Sequence, residues 1–113
     1  MDVAPSDVSK YGIVVPGEKH GDVAGLVEKP EIGDTPSTMA SIGRYVLSAD
    51  IFDVLRGQAP GADGEIQLAD AIDVLARRGE VGGVTLSGRR FDCGNKAGYV
   101  AAIMDVVSED VDL

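Results

Sequence analysis

Tyr11-Gly12-Ile13-Val14-Val15, then Pro16-Gly17-Glu18-Lys19-His20-Gly21-Asp22, then Val23-Ala24-Gly25-Leu26-Val27-Glu28-Lys29-Pro30: this stretch decides the fold class. Two short apolar runs rich in β-branched residues flank a connection full of turn formers. That pattern predicts a β-hairpin. Pro30 stops the second strand, because proline has no N–H to give a ladder.

Outward from the hairpin, strand and helix signals mix. Met39 to Leu47, with Gly43 inside it, reads as a third strand. Val81 to Leu86 reads as a fourth, followed by Ser87-Gly88 and a short Arg90-Phe91-Asp92 stretch. Ser48 is placed to cap a helix over Ala49 to Arg56, with Ile51, Val54 and Leu55 on one face and Gly57 as the stop. Ile66 to Arg78 carries Leu68, Ile72 and Leu75 at helical spacing, with Asp63 or Gly64 as the cap and Gly79 as the end. Asn95 is placed to cap a last helix in which Tyr99, Val100, Ile103, Met104 and Val107 recur. The acidic tail from Ser108 to Leu113 is expected to fray. Pro30 to Ser37 reads as a loop, and no repeat interrupts the chain. Two strands followed by alternation predict an α/β fold whose mixed sheet is partly covered by helices. Three or four short strands make a thin core. Two readings stay open: a small independent domain, or part of a larger sheet whose other strands lie elsewhere.

With 113 residues there is room for one domain. At 44% hydrophobic and 26% charged the composition is that of an ordinary globular protein. No apolar run approaches the roughly 20 residues of a membrane helix, and the start, Met1-Asp2-Val3-Ala4-Pro5, is not of secretory type. One cysteine, Cys93, excludes an internal disulfide and suits a reducing cytoplasm. A net charge of −9 repels polyanions, so no nucleic-acid partner is expected. A small phosphorylated ligand is not excluded, since one placed lysine or arginine suffices for a phosphate.

Val27-Glu28-Lys29-Pro30 puts an acid and a base at the carboxyl end of a strand, where open α/β sheets bind ligands. A carboxylate accepts hydrogen bonds from sugar hydroxyls, and an ammonium binds phosphate as a point charge. The same residues also read as a solvated pair entering a turn. Arg90-Phe91-Asp92-Cys93-Gly94-Asn95-Lys96 sets an acid before a Gly-Asn turn that opens a helix. Asp92 is a candidate Mg²⁺ ligand, or simply part of a capped loop; a single Asp cannot hold a metal. His20, alone in a Gly-flanked turn, reads as solvated. Gly64-Glu65-Ile66-Gln67-Leu68 reads as an acidic helix start.

Five stretches in register carry a resemblance: Val8-Ser9-Lys10-Tyr11-Gly12-Ile13-Val14; Val27-Glu28-Lys29-Pro30; Ile42-Gly43-Arg44-Tyr45-Val46-Leu47; Gly64 to Leu68 with Asp70-Ala71-Ile72; and Asp92-Cys93-Gly94-Asn95-Lys96 with Gly98-Tyr99. Together they resemble bacterial UTP–glucose-1-phosphate uridylyltransferases, with thymidylyltransferases ranked second. The resemblance implies a Rossmann-like nucleotidyltransferase fold and a reaction of UTP with glucose 1-phosphate that gives UDP-glucose and pyrophosphate, with Mg²⁺ as cofactor. It implies that Glu28 binds glucose hydroxyls, Lys29 binds the sugar phosphate as the candidate catalytic residue, Gly12 offers backbone to the sugar, and Asp92 helps hold Mg²⁺. It also implies a homo-oligomer when full length. The family's Gly-rich nucleotide loop and the lysine after it have no counterpart here. Residues 1–113 are therefore expected to be the carboxy-terminal, sugar-phosphate-binding part, with the amino-terminal half missing and the part inert alone. A non-catalytic binding module and an oligomerisation piece are the other readings.

Overall fold

The computed structural model describes residues 1–109. The hairpin forms where predicted. Strand β1 spans Gly12–Pro16 and β2 spans Val23–Glu28, antiparallel, with Ile13 opposite Val27 and Val14 opposite Leu26. A two-residue strand β3, Ala40–Ser41, pairs with the other edge of β1, giving the order β2-β1-β3. Helices α1 (Asp50–Arg56), α2 (Leu68–Arg77) and α3 (Lys96–Glu109) follow. The first element is a 3-10 segment, Pro5–Lys10.

The two-residue period of β1 divides the core. Ile13 points to one face, where Val8 of the 3-10 segment and Ala40 close over it. Val14 and Leu26 serve the other face, against Ile51 of α1 and Ala71, Ile72 and Leu75 of α2. Positions 71, 72, 75 and 76 of α2 are all buried, as helical spacing demands of a helix lying on a sheet. One polar contact ties these layers. Asp73 Oδ1 accepts the Leu26 N–H at 2.7 Å, and its Oδ2 accepts Arg77 Nε at 2.8 Å. Gly25 leaves room for it: a Cβ there would stand 2.9 Å from Asp73 Oδ1.

Several expectations are corrected. The helix-flanked α/β arrangement holds, but the sheet is not mixed: every pairing among the described residues is antiparallel. Met39–Leu47 yields only Ala40–Ser41 as strand, and Val81–Leu86 yields only a bridge between Asp22 and Gly82. Both runs have strand-like composition but no continuous ladder partner, and Val46 and Val84 stand fully in solvent. Ser48 gives no side-chain cap; Ala49 is the N-cap of α1. Gln67, not Asp63 or Gly64, is the N-cap of α2, while Gly79 takes the left-handed φ of +77° just past its end. Asn95 caps α3 as predicted, its Oδ1 accepting the Gly98 N–H at 2.8 Å. Of the tail expected to fray, Ser108 and Glu109 are helical and residues 110–113 lie outside the described residues.

The chain is extended for its size. Its radius of gyration is 16.2 Å, against about 13 Å for a compact domain of this length. Its accessible surface is 8057 Å², against about 5,900 Å² for a compact monomer of this mass. Many large apolar side chains are exposed, and α3 buries no residue. No described helix is long and apolar enough to cross a membrane.

Candidate functional site

The carboxyl end of β2 is built by register. Gly12 pairs with Glu28 across the ladder. A Cβ on Gly12 would stand 3.0 Å from Glu28 Oε2, so the bare glycine lets that carboxylate lie against β1. Gly12 is itself buried, Glu28 is half-buried and Lys29 is exposed. The resemblance names these three for one ligand, and the structure sets them side by side.

Lys29 has a backbone that lysine seldom adopts, with φ +46°. Its N–H donates to the Tyr11 carbonyl at 2.9 Å, which holds the turn. Buried Pro30 follows at once. A non-glycine residue held in this region costs stability, and such residues collect at functional positions. Beside it lies an open recess of about 300 Å³ lined by Ser9, Lys29, Pro30, Glu31 and Ile32. Among the described residues the Glu28 carboxylate and the Lys29 ammonium have no ion-pair or hydrogen-bond partner, and they do not pair with each other. Both are free to meet a ligand.

Asp92 starts the turn into α3. Its Oδ1 accepts the Gly94 N–H at 2.9 Å, and its carbonyl accepts Asn95 Nδ2 at 3.4 Å. Gly98, in the first turn of α3, sits so close to the Asp92 carbonyl that no Cβ fits between them. Asp92 Oδ2 is thus the carboxylate oxygen left over. Among the described residues no three acidic, histidine or cysteine side chains gather into a metal site. One carboxylate does not complete the oxygen shell of a hard divalent cation, so this donor set does not fit Mg²⁺ by itself.

Sequence reasoning missed the two residues that connect these parts. The Arg90 guanidinium lies 5.2 Å from the centroid of the Tyr11 ring, and its Nη1 donates to the Tyr11 hydroxyl at 3.3 Å. Tyr11 holds Lys29 with its backbone and Arg90 with its side chain. The partners are 79 positions apart, and no local spacing signals such a pair.

The model of the nucleotidyl transferase family matches residues 1–109. The chain belongs to the nucleotidyl transferase family. Relatives within it sharpen the match. A UTP–glucose-1-phosphate uridylyltransferase of Streptococcus pyogenes is 44% identical over 115 aligned positions, covering 96% of this chain and 37% of the relative. One of Escherichia coli (strain K12) is 45% identical over 107 positions, covering 88% of this chain and 35% of the relative. A crystal structure of UDP-glucose pyrophosphorylase complexed with UDP-glucose superposes with a TM-score of 0.86 at 38% identity, over 96% of this chain and 42% of that one. The fold is therefore part of the nucleotidyltransferase fold, as expected. This family member spans little more than a third of the curated relatives it matches.

Proposed function

We propose that this chain is the carboxy-terminal, sugar-phosphate-binding part of a UTP–glucose-1-phosphate uridylyltransferase. The observation that carries the reading is the strand end itself. Glu28 and Lys29 stand there without protein partners, and Lys29 is held in a strained backbone beside a recess. Glu28 accepts hydrogen bonds from glucose hydroxyls, Gly12 keeps that carboxylate against the sheet, and Lys29 binds the phosphate of glucose 1-phosphate. In the whole protein a phosphate oxygen of the sugar attacks the α-phosphorus of UTP. A new O–P bond forms, the α–β bridge breaks, and pyrophosphate leaves. The contribution of Lys29 is to orient the attacking phosphate and to hold its charge.

UTP contacts and a complete metal shell belong, on this reading, to polypeptide beyond these residues. Asp92 would supply one oxygen to Mg²⁺, which when bound neutralises phosphate charge; no step above depends on it. A cytoplasmic, homo-oligomeric whole protein goes with the same reading. The 113-residue chain alone should form no UDP-glucose.

The test is steady-state kinetics in the whole protein. Lys29→Ala should lower efficiency for glucose 1-phosphate by about ten- to a hundredfold, the loss of one charge-assisted contact, and leave UTP binding nearly unchanged. Lys29→Arg should not restore it fully, because a planar fork does not replace a compact ammonium. Lys29→Gly separates binding from folding. Glycine accepts a positive φ freely, so this variant should melt no lower than the parent yet lose the same efficiency. Unchanged efficiency in either truncated variant would return Glu28-Lys29 to a solvated strand end.

A further inference from the structure

We propose that Arg90 is a positioning residue that, clamped on Tyr11, holds the Asp92 loop beside the strand end carrying Lys29. Few polar contacts anchor that loop, and of its side chains Phe91 alone is half-buried between positions 84 and 95. Residues 84–90 are exposed, and the segment forms no strand. Among the described residues, positions 84–95 make no hydrogen bond to the sheet region other than Arg90 Nη1 to the Tyr11 hydroxyl. The same guanidinium covers the Tyr11 ring. A flat, delocalised cation can stack on a ring and donate at its edge together; an ammonium has no such plane.

Neighbouring Arg89 serves the other side. It pairs with Asp105 and Glu109, both on α3. The two adjacent arginines thus reach two places, Arg89 the helix and Arg90 the residue that leads into β1. Asp92 is two residues further on, and the start of α3 packs on its carbonyl at Gly98. Loop and helix therefore move as a unit, and the Tyr11 contact fixes where that unit sits. Because the Tyr11 carbonyl also holds the Lys29 N–H, one residue sets the position of both candidate ligand groups. The geometry stands alone; its consequence for substrate rests on the sugar-phosphate reading.

The single cysteine offers the test. Cys93 is exposed and next to Asp92. A nitroxide attached there in the 113-residue chain should broaden the amides of Tyr11 and Lys29 more than those of Val15 and Val23, at the far end of the hairpin. In Arg90→Ala that contrast should collapse with no drop in melting temperature. The docked fraction relative to the undocked should fall about two- to fivefold, the range expected for an exposed cation–ring contact. Arg90→Lys, which keeps the charge, should recover only part of it. Tyr11→Leu should match Arg90→Ala, and it guards against a local effect at position 90. An unchanged contrast in Arg90→Ala and Tyr11→Leu overturns the proposal. A second arm titrates glucose 1-phosphate into the unlabelled chain. Silence at the Lys29 amide refutes the sugar-phosphate reading while the broadening still decides the clamp. A response at Lys29 should be joined by one at Gly94 that disappears in Arg90→Ala; a Gly94 response that survives in this variant counts against the clamp.

Discussion

Helices α2 and α3 are both rich in apolar residues, yet one is buried and the other is not. α2 places Ala71, Ile72, Leu75 and Ala76 on one face, and β2 lies under that face. α3 gathers Tyr99, Val100, Ile103, Met104, Val106 and Val107 on one broad face, opposite Asp105 and Glu109, and leaves all six more than two-fifths exposed. An amphipathic helix is satisfied by one neighbour. The apolar face of α3 has no such neighbour and stays in solvent. Fourteen residues are also near the lower limit for a helix that must stand by its own propensity. Within this chain, then, α2 has a neighbour under its apolar face and α3 has none. The difference matches the share of the relatives that the chain spans.

The largest effect should come from the buried side. Ile72→Ala should destabilise the chain by about 2–5 kcal/mol, the cost of a cavity in a packed core. Urea denaturation followed at α2 would measure it. If an equivalent truncation on α3, Ile103→Ala, cost as much, the contrast between the helices would be broken.

The next effect sharpens the contrast by asking what fastens α2. Asp73 is its polar bolt to β2, accepting the Leu26 N–H that would otherwise face a sheet edge without a partner. Asp73→Ala should cost about 1–3 kcal/mol, the price of leaving that N–H unpaired. Hydrogen exchange at Leu26 should rise with it. The hydrogen bond that Arg77 donates to Asp73, and then the Asp73 charge, push the Arg77 guanidinium up from an already high value. Arg77 therefore stays charged throughout the ordinary pH range, and the cost should be flat across neutral pH. An unchanged Leu26 exchange rate would remove Asp73 from the account.

The smallest effect belongs to α3. Ile103→Ser should change stability by less than about 0.5 kcal/mol, because the side chain is nearly half exposed already. It should also lower the binding of a hydrophobic dye, since it breaks an apolar surface formed with Tyr99, Val106 and Val107. A clear loss of stability would show that α3 is packed in solution, against a second copy or against the body of the chain.

Local chemistry was enough for the hairpin, for the placing of α1 and α2, for the Asn95 cap and for Gly79 beyond α2. Each follows from a period, a turn residue or a cap that acts within a few positions. It singled out Glu28 and Lys29 at the strand end; Gly12 joined them through the resemblance, and hairpin register sets it opposite Glu28. Local chemistry overreached at Met39–Leu47 and Val81–Leu86. A strand is completed by a neighbour, and composition cannot say whether a neighbour exists. The sheet's wholly antiparallel pairing, the Asp73 bolt and the Arg90–Tyr11 contact were decided only when distant segments met. Leu26 and Asp73 are 47 positions apart, Tyr11 and Arg90 are 79 apart, and no pattern read along the chain reports a contact made across it.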